Sequence, residues 1–286
     1  MTIQNALTVD VEDYFHVSAF AKSIDQRDWG KQPLRVEKNT KRLLDLFDEY
    51  QVKATFFVLG WVADKRPSLV KEIAARGHEI ACHGFSHQLV YHQTPDVFRE
   101  ETRRSKSLLE DIYQAPVRGY RAASYSITER SLWALDILAD AGFDYDSSIF
   151  PVRHDRYGIP GAQEMPNRLT TPGGRELIEF PLSTAKMFSY RLPVAGGGYF
   201  RLYPYAVTRA GLRQVNRRQQ PFIFYLHPWE IDPEQPRIAA SWFSRFRHYN
   251  NLDKCESRLR RLLKDFPFGT SWEVLESLGL TTSTPG

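Results

Sequence analysis

Short apolar runs alternate with segments of helical periodicity along this chain, and this alternation most strongly limits the folds open to it. The runs at 6–11, 53–59 and 78–82 have the length of buried strands, whereas 36–50 and 67–75 place apolar side chains on one helical face. Further strands are predicted at 117–121, 143–146 and 221–227, and further helices at 96–113 and 128–141. Strands and helices in alternation with short connections predict parallel βα units.

The length and composition suit a single large core followed by an extension. The chain has 286 residues, of which 42% are hydrophobic, and this is ample for one domain of the βα-barrel size. Residues 151–205 are rich in proline, glycine and tyrosine and predict an irregular insertion with a hairpin around 176–192. Residues 241–265 are amphipathic and helical. We therefore expect a barrel domain over 1–230 and a helical extension over 231–286 packed on it.

Several function classes find no support in the sequence. The net charge of +4 is mild, and basic residues are dense only at 258–264, so nucleic-acid binding is not expected. Glycine-rich nucleotide-binding motifs are absent. No apolar run is long enough for a membrane span, and the first residues lack the pattern of a signal peptide, so a cytoplasmic protein is expected. The sequence leaves the oligomeric state open.

Polar side chains that could bind a metal or take part in catalysis follow the predicted strands. His83 and His87 are four residues apart, so both imidazoles can reach one metal ion. Acidic residues 10–13 end the first strand, and His227 ends the last one. The side chains at strand ends are Asp10, His83, Arg121, Asp146 and His227. Because active sites of βα barrels form at the carboxyl ends of the strands, these residues are expected to converge as a metal-dependent hydrolase site.

The order and spacing of these motifs resemble the polysaccharide deacetylases of carbohydrate esterase family four, the chitooligosaccharide deacetylase homology domain. The matching segments are Asp10-Val-Glu-Asp13, His83-Gly-Phe-Ser-His87, Arg121-Ala-Ala-Ser124, Asp146-Ser-Ser148 and Leu226-His227. The segment from about 231 resembles an extension found on members from exopolysaccharide loci. The resemblance implies a distorted (β/α) barrel with about seven parallel strands. It also implies a divalent metal, zinc, with cobalt, nickel or manganese as alternatives.

The resemblance implies that the protein removes N-acetyl groups from a polysaccharide containing N-acetylhexosamine, or from its precursor. An N-acetylated saccharide is therefore the expected partner. Two alternatives remain from the sequence. One is an amidohydrolase that acts on a small-molecule or ring amide with the same metal site. The other is a catalytically silent carbohydrate-binding protein.

The acidic cluster permits two assignments beside the metal ligands His83 and His87. Matching the family's adjacent acidic pair to Glu12 and Asp13 makes Glu12 the base and Asp13 the ligand. Strand alternation instead puts Asp10 and Glu12 on one face, which makes Asp10 the base and Glu12 the ligand. We predict Asp13 as the ligand and Asp10 as the base, and we keep Glu12 among the catalytic residues.

His227 resembles the general acid of the family. It must be cationic to protonate a leaving amine, so a buried carboxylate partner is expected, with Asp146 and Asp144 as candidates. Arg121 is expected to orient the base through a salt bridge.

The segment after this arginine departs from the family pattern. Ala123 replaces the family's proline, and Ser124 followed by Tyr125 replaces its aromatic residue. A backbone N–H there would still serve as an oxyanion donor. Ser124, Tyr125 and Trp229 are the predicted substrate-binding residues.

Overall fold

The computed structural model describes residues 3–154, 157–187 and 190–281. Its strands are β1 (Asn5–Val11), β2 (Thr55–Val58), β3 (Glu79–Cys82), β4 (Gly119–Tyr120), β5 (Tyr145–Asp146), β6 (Asn167–Thr170), β7 (Glu176–Glu179), β8 (Thr184–Met187), β9 (Tyr190–Pro193), β10 (Ile223–Leu226) and β11 (Phe268–Gly269). Its helices are α1 (Val36–Glu49), α2 (Gly60–Lys65), α3 (Pro67–Ala75), α4 (Pro95–Tyr113), α5 (Trp133–Asp140), α6 (Gly197–Leu202), α7 (Tyr205–Arg217), α8 (Trp242–Tyr249), α9 (Leu252–Asp265) and α10 (Ser271–Ser277).

One curled sheet organises the molecule. Its strand order is β10-β1-β2-β3-β4-β5-β7-β6, and β11 pairs with β1 outside this path. Every pairing from β10 to β7 is parallel, whereas β6 is antiparallel to β7. The seven parallel strands of this path, joined by helices, confirm the predicted distorted βα barrel. Strands β8 and β9 form a separate hairpin within the predicted irregular insertion.

The register of the sheet brings the polar strand ends together. Asp10 and His227 directly follow the last pair of residues between β1 and β10. His83 and Arg121 directly follow the pair that joins β3 to β4. Arg121 and Ser147 follow the last pair that joins β4 to β5. Because all these strands run in one direction, the side chains collect at a single edge of the sheet.

The apolar patterns explain why these elements form where they do. All four residues of β2 are buried, as expected for a parallel strand covered on both faces. The apolar stripe of α1 packs into the core, with Val36, Leu43, Leu44, Leu46 and Phe47 all buried. Pro95 opens α4, and the Thr94 side chain caps it by accepting the N–H of Val97.

The segment after residue 230 is not purely helical. Strand β11 adds to the sheet beside β1, with α10 following it, and α8 and α9 precede it. The division into a barrel domain and an extension at residue 230 stays a prediction, and residues 282–286 of that extension lie outside the described residues. None of the described helices is both long and apolar enough to cross a membrane.

Candidate active site

The polar strand ends meet in one cleft with a volume of about 460 Å³. Its lining includes Asp10, Glu12, His83, His87 and His227. The three predicted substrate-binding residues, Ser124, Tyr125 and Trp229, line the same cleft. Eight residues predicted from the sequence therefore line the cleft, although the geometry gives Asp13 and Asp146 other roles than the predicted ones.

Two histidines and one carboxylate form a compact buried cluster. Glu12, His83 and His87 each offer a ligand atom, and these atoms lie within 4.8 Å of one another. The Nδ1 atom of His83 lies 2.8 Å from the carbonyl oxygen of Arg121. With its proton on Nδ1, the ring keeps a lone pair on Nε2 for a metal. Burial lowers the pKa of His83 to about 4, so this imidazole is neutral at physiological pH.

The hydrogen-bond partners of the Glu12 carboxylate show whether a metal would fit this cluster. One oxygen, Oε1, accepts the indole N–H of Trp229 at 3.2 Å. The other, Oε2, is buried without a hydrogen-bond partner among the described residues, although it lies 2.7 Å from Nε2 of His87. Burial raises the pKa of Glu12, but the neighbouring histidines outweigh this effect and hold it below its usual range. An ionised, unpartnered oxygen facing two imidazoles matches the donor set of a divalent metal.

Asp13, the predicted carboxylate ligand, lies outside this cluster and has a different role. Its Oδ1 accepts the N–H of Tyr14 at 2.9 Å. Its Oδ2 accepts the N–H groups of Arg35 and Val36, at 2.7 and 2.8 Å, where α1 begins. Both oxygens are therefore occupied by backbone donors. The geometry contradicts the prediction of Asp13 as a ligand and agrees with the alternation-based pairing of Asp10 with Glu12.

Asp10 is fixed by a fully buried arginine. Arg121 donates from Nη1 to Oδ1 of Asp10 at 2.6 Å and to the hydroxyl of Thr8 at 2.8 Å. Its Nε and Nη2 bind the carbonyl and hydroxyl oxygens of Ser147, and its plane lies 3.9 Å from the ring centre of Phe57. The predicted salt bridge is present, and it leaves Oδ2 of Asp10 free to act toward the cleft.

His227 is held by a carboxylate that the sequence analysis missed. Its Nδ1 lies 2.5 Å from Oε1 of Glu230, and its Nε2 lies 3.6 Å from Glu12 and 3.9 Å from Asp10. Burial lowers the pKa of His227, but these three carboxylates outweigh burial and raise it to about 9. Arg201 donates to the second oxygen of Glu230 at 2.9 Å. His227 is thus cationic at neutral pH, with Nε2 directed to the cleft.

Asp146, predicted as the partner of this histidine, has a supporting role instead. Its carboxylate accepts the hydroxyl of Ser148 at 2.6 Å and the backbone N–H of the same residue at 3.1 Å. The Ser148 oxygen in turn accepts the N–H of Ala122 at 2.8 Å. Asp146 therefore positions the segment that follows Arg121. The other candidate, Asp144, lies 3.8 Å from a surface arginine and does not reach His227.

The backbone lining the cleft is unusual at three positions. His87, Ser124 and Tyr125 have φ angles of 52°, 52° and 56°, in the left-handed region that non-glycine residues rarely adopt. Such residues cost about 1–3 kcal/mol each and cluster at functional sites. The Ser124 hydroxyl bonds to that of Ser18 at 2.8 Å, which ties this turn to the opposite lip of the cleft.

Comparisons with known proteins divide the chain into two adjoining regions. Residues 27–145 match the family described as Polysaccharide deacetylase. Residues 147–276 match the Domain of unknown function (DUF3473). The histidine pair and Arg121 fall in the first region, whereas His227 and Glu230 fall in the second. Asp10 and Glu12 precede both matches.

The chain is similar to curated bacterial deacetylases over part of its length. It is 36% identical over 107 residues to a chitooligosaccharide deacetylase of Sinorhizobium fredii, covering 36% of this chain and 47% of that protein. It is 34% identical over 98 residues to a peptidoglycan-N-acetylglucosamine deacetylase of Bacillus cereus, covering 34% of this chain and 36% of that protein. The chain thus spans less than half the length of either relative.

The fold extends this likeness to the whole chain. A Mycobacterium smegmatis protein that is inferred to be a polysaccharide deacetylase superposes with a TM-score of 0.67 at 20% identity, covering 100% of this chain and 94% of that one. At this identity the likeness concerns the fold alone. The family match over residues 27–145 confirms the motif resemblance, and the match to a domain of unknown function begins two residues later.

Proposed function

We propose that this protein is a metal-dependent N-deacetylase that acts on a glycan containing N-acetylhexosamine. One observation carries the proposal: a cluster of two histidines and one carboxylate lies in the same cleft as an arginine-bound aspartate and a cationic histidine. Each of the three parts of amide hydrolysis, namely water activation, carbonyl polarisation and protonation of the leaving nitrogen, then has a group that can perform it.

The proposed metal ligands are Glu12, His83 and His87. A divalent metal held by them, for which we propose zinc, would lower the pKa of a water molecule and polarise the acetyl carbonyl. Trp229 supports this arrangement because its indole N–H binds the Glu12 oxygen that faces away from His87.

Asp10 is the proposed general base. Arg121 binds one of its oxygens, so the other can take a proton from the water that attacks the acetyl carbon. As the carbon–nitrogen bond breaks, the nitrogen takes the proton on Nε2 of His227, the proposed general acid. The products are a free amine and acetate. Oδ2 of Asp10 and Nε2 of His227 are 3.9 Å apart, so both proton transfers occur within one small site.

The backbone N–H of Ser124 is the proposed oxyanion donor, because that of Tyr125 already donates to the carbonyl oxygen of Ala122 at 3.0 Å. The side chains of Ser124 and Tyr125 are proposed to contact the sugar. The cytoplasmic location stays a prediction, which cell fractionation would test.

The first test is acetate release from N-acetylglucosamine oligomers. We expect a chelator to abolish release, zinc to restore it, and the His83→Ala, His87→Ala double variant to be inactive while remaining folded. A double variant with full activity would refute the proposal. A panel that includes ring amides separates the amidohydrolase alternative, since that alternative predicts turnover of ring amides and no acetate from glycans.

A further inference from the structure

An exposed group of apolar side chains borders the catalytic cleft. Trp242, Phe243 and Phe246 of α8 are 76%, 59% and 42% exposed, and Leu202 at the end of α6 is 48% exposed. We call these four residues the aromatic rim. Among the described residues, they are four of the eight large hydrophobic side chains that are exposed, so their clustering needs an explanation.

The aromatic rim is continuous with the proposed active site. Phe243, Phe246 and Leu202 line the same cleft as Glu12 and His227. A ligand that places one group at the catalytic residues and extends outward along this side therefore meets the rim. The rim is part of a concave surface, which is the shape of a ligand site.

Two of the rings are stacked nearly parallel to each other. Trp242 and Phe246 are one helical turn apart, their ring centres are 5.4 Å apart, and their planes differ by only 12°. The guanidinium of Arg247 lies 5.4 Å from the ring centre of Phe243 and restricts that ring from one side. Flat ring faces carry partial negative charge that attracts the C–H groups on the face of a sugar ring.

The helix that carries these rings is anchored to the catalytic centre. Arg201, which is buried and holds Glu230, also donates to the carbonyl oxygens of Arg247, His248 and Asn250 at the end of α8. The imidazole of His248 stacks on Trp229 with 4.2 Å between ring centres. The rings are therefore mounted at a fixed position relative to the catalytic acid, which reduces the entropic cost of binding against them.

We propose that the aromatic rim binds sugar units that neighbour the one being deacetylated, so that the protein acts on an extended glycan chain. This inference rests on the proposed deacetylase function and adds a binding surface contributed by the region of unknown function. A membrane surface is the less suitable occupant. The helix has only 8 residues, or about 12 Å, and two of its exposed rings, Phe243 and Phe246, line a cleft instead of lying on one broad apolar face.

The test compares short and long substrates. We expect the ratio of kcat/KM for the N-acetylglucosamine hexamer to that for the dimer to fall about three- to tenfold in Phe243→Ala and in Phe246→Ala, the range given by loss of one aromatic contact. Val207→Ala is the matched control, because Val207 is 40% exposed on α7 and does not line the cleft. An unchanged ratio, or equal loss on hexamer and dimer, overturns the inference.

Binding without turnover separates this inference from the proposed function. The fully deacetylated hexamer is titrated by calorimetry into the wild-type protein and the two phenylalanine variants. Weaker binding by the variants supports the rim even if no glycan releases acetate, in which case only the proposed function fails. No binding by the wild-type protein overturns the rim. Sedimentation with phosphatidylglycerol vesicles that is lost in the variants overturns it in favour of a membrane surface.

Discussion

Glu12 and Asp13 are adjacent acids of equal charge, and the structure gives them opposite roles. Glu12→Gln and Asp13→Asn each remove one negative charge without changing the shape of the side chain. If Glu12 is the metal ligand, Glu12→Gln should lose metal binding and keep its stability. If Asp13 is a structural acceptor, Asp13→Asn should keep metal binding and lose stability. This contrast tests the central correction to the sequence-based assignment.

The size of each effect follows from the contacts. In Asp13→Asn, the amide oxygen can still accept the N–H groups of Arg35 and Val36, but the NH₂ group then faces the N–H of Tyr14. One buried donor without an acceptor costs about 1–3 kcal/mol. For a chain of this size the melting temperature should fall by about 2–5 °C.

In Glu12→Gln, metal affinity should fall by more than the 10–100-fold that loss of an outer-shell partner costs, since a direct ligand is removed. The fold should persist because Trp229 can still donate to the amide oxygen of Gln at position 12.

The assay measures zinc binding by equilibrium dialysis and thermal unfolding by circular dichroism in the presence of chelator. Working without metal keeps the stability measurement independent of ligand binding. The reasoning is refuted if Asp13→Asn binds zinc as weakly as Glu12→Gln at a temperature where both are folded. It is also refuted if Glu12→Gln retains the wild-type affinity.

Three further predictions address the supporting residues. Glu230→Gln should move the alkaline limb of the profile of kcat/KM against pH to lower pH by roughly one unit or more. The reason is that one of the carboxylates that raise the pKa of His227 to about 9 is lost. Asp146→Asn, the matched control, should leave that limb in place. Burial raises the pKa of Asp146 to about 6, so this group stabilises the fold below its unfolded pKa and that stability is lost as pH rises to about 6. The unfolding free energy of wild type relative to Asp146→Asn should therefore fall over that interval in denaturant titrations. Arg121→Lys should lower kcat by tenfold or more with little change in KM, since one ammonium cannot bind both Asp10 and Ser147 in the geometry of the guanidinium.

The sequence predicted those site residues that directly follow a strand. Asp10, His83, Arg121 and His227 each follow a strand whose apolar pattern was clear, and a parallel sheet brings such positions to one edge. Period-2 alternation also placed Glu12 on the face of Asp10. Matching the family's adjacent acidic pair to Glu12 and Asp13 instead led to the prediction of Asp13 as the metal ligand. Two of the three N–H groups that Asp13 accepts, those of Arg35 and Val36, lie more than twenty residues further along the chain, at the start of α1, and nothing in the local pattern pointed to them.

Glu230 illustrates a second limit of sequence reasoning. Its burial depends on Arg201, which lies 29 residues earlier in a region read as irregular. A glutamate and an arginine at that separation give no periodic signal. The only local clue was the spacing of three residues between His227 and Glu230 across a turn opened by Pro228. That spacing returns the carboxylate to Nδ1 of the histidine.

The contacts among Arg201, Glu230 and His227 show that the region of unknown function contributes to the same site as the residues of the deacetylase match. That region supplies the proposed catalytic acid, its carboxylate partner and the arginine that binds this partner, whereas the two histidines of the proposed metal cluster lie in the deacetylase match. Strand β10, which precedes His227, pairs directly with β1, which carries Asp10. Base and acid are thus set by one strand pairing between distant parts of the chain. Arg201 binds Glu230 and also holds the end of α8. A change at Arg201 should therefore affect both proton transfer and the binding of an extended substrate, whereas a change at one ring of α8 should affect only the binding.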